Sequence, residues 1–241
     1  MSKRKTKATS SISRNGSSFR KKLLEDKRAF LDGIGKPESD EFIPDAFQLK
    51  AISEVINGKD TLVVAPTGSG KTFIAISAIG VFLSLGLSCI YTTPLKALSN
   101  TKYIEFREKF KDHRVGLLTG DRKIDTDAKL LVATTEIFRN EMLRKSVDWG
   151  LVILDEVHFL SDPQRGAVWE ESIILCSKSS VLLLLSATIG NPVVFRDWVS
   201  EVRSKECSLI LERKRPVDLR FGILHQDFGA ISLNFYRKVR H

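Results

Sequence analysis

From residue 60 onward, short apolar runs alternate with longer stretches in which apolar residues recur every three or four positions. The runs at 61–65, 88–92, 115–118, 130–133, 151–155, 181–186 and 208–211 read as strands. The stretches 71–83, 95–110, 135–144, 167–175 and 192–202 read as helices. A further helix is expected at 46–57, with Phe47, Ala51, Ile52, Val55 and Ile56 on one side and Gly58 ending it. Strands that are apolar on both faces and alternate with helices predict a mainly parallel sheet covered on each side, a three-layer α/β sandwich.

The pattern weakens at both ends. Residues 25–35 read as a short helix ending at Gly33 or Gly35, and 36–40 as a linker. After Pro216 the run 217–224 reads as one more strand, and 231–241 ends basic without a clear partner. The expected division is an extension and linker at 1–40, a folded body at 41–216, and a C-terminal segment at 217–241 that begins a linker or a second domain.

Composition refines this picture in one place. The net charge of +9 on 241 residues invites a nucleic-acid reading. Residues 1–22, however, carry eight basic side chains and no acid, which leaves +1 for everything after them. The body is therefore nearly neutral, and the basic, Ser-rich tail is expected to be disordered. A solvated tail, a non-specific RNA or DNA arm and a targeting segment all remain open for it, although it lacks the apolar core of a secretory signal. Cys89, Cys176 and Cys207 are widely spaced and share no metal-ligand spacing with the four histidines. They read as core residues of a reducing compartment, with the cytoplasm expected and the nucleus or an organelle as alternatives. The longest apolar run, 181–185, is far too short to span a bilayer, so no membrane partner is expected.

The chemistry is concentrated in residues 61–72. Thr61-Leu-Val-Val runs into Ala65-Pro-Thr67-Gly68-Ser69-Gly70-Lys71-Thr72, and an apolar helix follows. Strand, glycine loop, Lys-Thr and helix form the phosphate cradle of P-loop proteins, with Ala65 where the first glycine is usual. Backbone amides of Thr67, Gly68, Ser69 and Gly70 converge on one point, and the helix N-terminus adds its partial positive charge. Lys71 would reach the β- and γ-phosphates of ATP, and the Thr72 hydroxyl would hold Mg²⁺. A second acidic site follows Leu151-Val-Ile-Leu154, where Asp155-Glu156-Val-His158 begins. An acid directly after a buried strand needs compensation, and a metal ion supplies it. Asp155 would hold Mg²⁺ directly or through water, and Glu156 would orient and deprotonate the attacking water.

Asp155-Glu-Val-His158 together with the loop at 65–72 resembles superfamily-two helicases. The stretch 162–171, Asp-Pro-Gln-Arg-Gly-Ala-Val-Trp-Glu-Glu, is similar to the superkiller-type DEVH-box RNA helicases, best known for feeding RNA to the exosome. That resemblance runs from about Phe42 to Pro216 and implies a RecA-like P-loop fold and ATP-dependent RNA unwinding. It also implies roles for individual residues. Phe42 would stack on adenine and Gln48 would read its edge. Pro94, Leu95 and Lys96, Gly120 and Asp121, and Thr134 and Thr135 would face RNA. His158, Ser186 and Thr188 would couple hydrolysis to strand separation.

The family works with two RecA-like domains, the second supplying arginines to the γ-phosphate. Its Gln-x-x-Gly-Arg-x-Gly-Arg run is absent here, so the chain is expected to be the first motor domain, weakly active alone. The expected partners are single-stranded RNA or a 3′-tailed duplex, a second RecA-like domain in cis or in trans, and an RNA-decay or processing complex. A DNA helicase of a related branch and a hydrolysis-poor ATP- and RNA-binding module are the alternatives.

Overall fold

The computed structural model describes residues 16–32, 43–144, 148–215 and 220–239. These divide into two compact units. One spans Ile43–Pro216, and the other joins the residues before it to those after it.

In the larger unit every expected strand forms, within one residue of its expected bounds. The strands are β1 (Asp60–Val64), β2 (Cys89–Thr93), β3 (Val115–Leu118), β5 (Leu130–Thr134), β6 (Leu151–Leu154), β7 (Val181–Ser186) and β8 (Cys207–Leu211). They join a two-residue strand β4 (Lys123–Ile124) in one sheet of order β4-β3-β5-β2-β6-β7-β1-β8. All neighbours are parallel except the β3–β4 edge pair. β4 is too short to leave a periodic signal and is absent from the sequence pattern for that reason.

Alternation along each strand feeds two cores. Val63, Tyr91, Ile153 and Leu183 join one cluster with Ala51, Ile74, Phe82 and Phe106 of helices α2 (Ala46–Ile56), α3 (Lys71–Ser84) and α4 (Lys96–Lys109). Leu62, Ile90, Val152 and Leu184 join the other with Phe138, Trp169 and Val199 of α5 (Thr135–Arg144), α6 (Gly166–Leu175) and α7 (Pro192–Arg203). Helices thus cover both faces, the arrangement that fully apolar parallel strands require. Because the strands run parallel, the carboxyl ends of β1, β2, β3, β5, β6 and β7 all open on one edge, where ligands of such sheets bind.

At the opposite end of β1 the fold holds a buried ion pair that the sequence does not announce. Arg203 and Asp60 side chains are 1% and 0% exposed and bonded to each other. Arg203 also donates to the carbonyls of Cys176 (2.9 Å), Ser177 (3.2 Å) and Ser180 (2.9 Å), while Asp60 accepts the Leu182 N–H at 2.9 Å. With every polar atom engaged, the pair fixes the end of α7 against the starts of β1 and β7.

The smaller unit corrects the expectation of disorder through residue 22, because helix α1 spans Gly16–Leu31. Its half-buried residues Phe19, Leu23, Asp26, Lys27 and Phe30 fall at helical spacing on one face. That face meets the far end of the chain, a hairpin of β9 (Gly222–His225) and β10 (Gly229–Ser232) followed by α8 (Leu233–Val239). Phe19 lies 5.6 Å from Phe228 and 5.9 Å from Phe235. Asp26 accepts both the N–H and the hydroxyl of Ser232, and Arg220 caps the carbonyls of Ala29 and Phe30. The helix therefore begins earlier than the expected 25–35 stretch. The strand expected at 217–224 is β9, shifted toward the C-terminus.

Candidate functional site

The glycine loop leaves β1 at Val64 and enters α3 at Lys71. Its geometry depends on Gly68 and Gly70, both left-handed, at φ 83° and 78°. A Cβ on Gly70 would stand 2.3 Å from Gln48 Nε2, so that position needs glycine on two counts. Gln48 is the brace beneath the loop. It is 2% exposed, donates from Nε2 to the Ser69 carbonyl at 2.9 Å, and accepts the Asp45 N–H at 2.8 Å on Oε1. Its oxygen and one of its amide protons are thus committed within the chain. Thr67 and Gly68 form the exposed tip, while Ser69 is buried with its hydroxyl unpartnered. Phe42 lies outside the described residues.

Lys71 folds back over its own loop, donating to the carbonyls of Ala65 (2.8 Å) and Pro66 (3.1 Å). Burial pulls its pKa below the usual lysine value, and the charges of Glu156 and Asp155 oppose that pull. The Ala65 N–H donates to the Ser186 carbonyl at 3.0 Å, tying the loop directly to the end of β7. Ser186 in turn donates its hydroxyl to the Thr188 carbonyl at 3.0 Å, which turns the chain as it leaves the sheet.

β6, two strands from β1 in the sheet, ends in Asp155. Its Oδ2 accepts from the fully buried Tyr91 hydroxyl and its Oδ1 accepts the Glu156 N–H at 2.9 Å. Burial pushes the Asp155 carboxyl up, with the Tyr91 hydrogen bond pulling the other way. Glu156 sits at φ 56°, a left-handed conformation rare for a non-glycine residue. Its carboxyl is raised too, first by burial and then by the adjacent Asp155 charge. Glu156 Oε2 and His158 Nδ1 are 3.1 Å apart, yet neither has a hydrogen-bond partner. Strain, a buried carboxylate oxygen without a hydrogen bond and raised pKa values on one dipeptide mark a place shaped for something other than stability.

Hard oxygen donors from Thr72 and Asp155 suit Mg²⁺, which keeps several waters and is commonly held by one or two protein groups plus phosphate. Among the described residues no cluster of three or more His, Cys, Asp or Glu side chains is present.

The other expected residues lie along the same edge, on the far half of the sheet. Pro94 is buried, and Leu95 and Lys96 are exposed where β2 passes into α4. Gly120 and Asp121 are exposed after β3, with Lys96 Nζ 3.3 Å from Asp121 and the Thr119 hydroxyl donating to Asp121 at 2.9 Å. Thr134 ends β5 and Thr135 opens α5. Both are buried, and the Thr135 hydroxyl has no partner. Thr93 and Ser99 lock these turns together, their hydroxyls 2.7 Å apart and Ser99 donating to the Ala133 carbonyl at 3.3 Å.

Two residues that organise this edge carry no assigned role in the sequence reading. Arg165 reaches from the loop after β6 to the Pro94 carbonyl at 2.6 Å, forms an ion pair with Glu136 at the start of α5, and lies over the Trp169 ring. Lys102, one turn and a half into α4, donates to the Thr72 hydroxyl at 3.1 Å. Lys102 has no signal in periodicity or motif spacing, and Arg165, although it lies in the 162–171 stretch that carries the family likeness, shows its contacts only once the fold brings its partners to it.

A parallel sheet with a glycine loop after β1, Lys-Thr at the start of α3 and an acid pair after β6 defines a RecA-like, P-loop nucleotide-binding domain. Residues 45–194 match the DEAD/DEAH box helicase family, and the chain belongs to that family. It is 44% identical over 219 residues to the DExH-box ATP-dependent RNA helicase DExH15, chloroplastic, of Arabidopsis thaliana, covering 83% of this chain and 18% of the relative. To the exosome RNA helicase MTR4 of Homo sapiens it is 43% identical over 205 residues, covering 83% of this chain and 19% of the relative. The fold is similar to that of a hypothetical ATP-dependent RNA helicase from Sulfolobus tokodaii, with a TM-score of 0.58 at 23% identity over 80% of this chain and 57% of that one. The chain spans about a fifth of the length of the curated relatives it matches.

Proposed function

We propose that this chain is the first motor domain of an ATP-dependent RNA helicase, binding ATP–Mg²⁺ and single-stranded RNA on one edge of its sheet. The observation that carries the reading is the division of that edge. The ends of β1, β6 and β7 bring together Lys71, Thr72, Asp155, Glu156 and Ser186, and the ends of β2, β3 and β5 place Pro94–Lys96, Gly120–Asp121 and Thr134–Thr135 beside them. Lys71 would turn from its loop carbonyls to the β- and γ-phosphates, Thr72 and Asp155 would hold the metal, and Glu156 would take a proton from the attacking water. Backbone amides at helix starts, with lysine and threonine side chains, suit phosphate contacts that ignore base identity. RNA rather than DNA is favoured by the names of the relatives, and work within an RNA-decay or processing complex follows from the same likeness.

Arginines from a second RecA-like domain would complete the γ-phosphate site, and without them hydrolysis would be ~10³–10⁵-fold slower. ATPase assays of the chain, with and without such a domain supplied in trans and with RNA or DNA as stimulant, test the reading. Slow turnover that rises with the added domain and with RNA is expected. Turnover by the chain alone at ordinary helicase rates would refute the need for the second domain, and stimulation by DNA alone would overturn the assignment to RNA.

A further inference from the structure

Lys102 is a shielded lysine, its side chain 18% exposed, and such residues call for a partner. It has two. Nζ donates to Glu105 at 2.8 Å, one turn along α4, and to the Thr72 hydroxyl at 3.1 Å, across on α3. The Thr72 oxygen is the one the proposed function gives to Mg²⁺. An ammonium thus stands on the hydroxyl proposed to hold the metal. It comes from α4, six residues and about 9 Å along the axis from Lys96, which follows the Pro94–Leu95 turn.

From this geometry we infer that Lys102 is a positioning residue that competes with the divalent cation for the Thr72 hydroxyl, so that α4 helps to set the metal affinity of the nucleotide site. The inference rests on the ATP reading above. Two cations about 4 Å apart repel strongly in a partly buried site, so Mg²⁺ can take Thr72 only as the ammonium withdraws. Glu105 is the group toward which it withdraws. The start of α4 and Lys102, which holds the Thr72 hydroxyl, therefore share one rigid element, a physical route by which contact at the Pro94–Lys96 turn reaches the metal.

The test reads nucleotide binding, not turnover. Binding of a fluorescent, non-hydrolysable ATP analogue is followed by anisotropy while Mg²⁺ is titrated against the intact chain, Lys102→Met and Glu105→Gln. Removing the ammonium should lower the Mg²⁺ concentration for half-maximal binding by about tenfold. Glu105→Gln, which leaves the ammonium on Thr72 with no carboxylate to withdraw to, should raise it by a few-fold. At saturating Mg²⁺ both variants should bind the analogue, which shows that they fold. An unchanged Mg²⁺ midpoint in Lys102→Met, with analogue binding intact, overturns the inference and leaves the ATP reading standing. A rise of that midpoint also overturns it, since Lys102 would then support the metal. If Lys102→Met does not fold, the Glu105→Gln midpoint decides alone, and no shift refutes the inference. Failure of the unsubstituted chain to bind the analogue at any Mg²⁺ concentration refutes the ATP reading and this inference with it.

Discussion

The two halves of the site edge are built on different principles. Around β1, β6 and β7 the chain accepts discomfort: Glu156 is left-handed, its Oε2 and the Ser69 hydroxyl lack partners, and Lys71 and both acids have pKa values displaced by burial. Around β2, β3 and β5 it accepts little, with exposed turns closed by ordinary hydrogen bonds and held by the Arg165–Glu136 and Lys96–Asp121 pairs. Three buried side-chain atoms in this half lack a hydrogen-bond partner, Thr92 Oγ1, Thr135 Oγ1 and Arg139 Nε, and of these Thr135 alone belongs to the residues expected to face nucleic acid. A group that must take up a metal, a phosphate and a proton has to be left unsatisfied beforehand. A surface that follows a sugar-phosphate backbone has only to be in place and rigid. Strain marks the first half, and connectivity marks the second.

If that contrast is right, damage to one half should leave the other readable. The largest separation is expected from Lys71→Ala. Loss of the only lysine at the glycine loop should weaken ATP-analogue binding at least 100-fold, while single-stranded RNA affinity in the absence of nucleotide stays within about twofold. Parallel loss of RNA affinity would erase the distinction between the halves. Arg165→Ala should do the reverse by freeing the Pro94 carbonyl and Glu136 from their shared guanidinium. RNA affinity is expected to fall by about ten- to a hundredfold, as for loss of a charge-assisted hydrogen bond worth ~1.5–3 kcal/mol, with analogue binding little changed. Arg165→Lys should recover only part of it, because an ammonium cannot reproduce the two-point fork. Salt gives a smaller but broader check. Raising it from 50 to 200 mM should weaken RNA binding far more than analogue binding, since backbone contacts release counterions.

The same contrast explains what could be read in the chain before its structure. The strained half was legible because its candidate groups are contiguous: residues 65–72 and 155–158 each gather them within a short stretch of chain. The sheet was legible because fully buried parallel strands leave unbroken apolar runs such as 151–154 and 181–186. The connecting half was legible only through family likeness, as each of its turns alone is an ordinary helix start. The contacts of Arg165, Lys102 and the Arg203–Asp60 pair were illegible because their partners lie 71, 30 and 143 residues away. Helix α1 was hidden for a related reason. Its apolar face is thin and is completed by Ser232 and Phe235 near the other end of the chain, so composition alone made it look like part of a disordered tail.

The smallest expected effect is also the most direct measure of the strain. Glu156→Gln keeps the shape of the side chain and removes its charge, and Oε2 has no hydrogen bond to lose. In the fold this carboxyl is raised above its ordinary value of 4.5, first by burial and then by Asp155, with His158 and Lys71 pulling partly against them. Between the ordinary value and the raised one, the native state holds more protons than the unfolded chain. Stability attributable to this group therefore falls as pH rises through that window and stays lower above it. Glutamine cannot ionise and escapes the loss. Without nucleotide, Glu156→Gln should melt a few degrees above the unsubstituted chain at pH 7.5, on the scale of about 2–4 °C per kcal/mol for a protein of this size. The gain should shrink toward zero below pH 4.5, where both forms are neutral. Scanning calorimetry across that range measures the difference directly. A substitution that gains stability while hydrolysis stops would place Glu156 on the strained side of the comparison. A gain that persists at low pH, or a loss at neutral pH, would show that its carboxylate is an ordinary, satisfied surface group and that the contrast between the halves ends at Asp155.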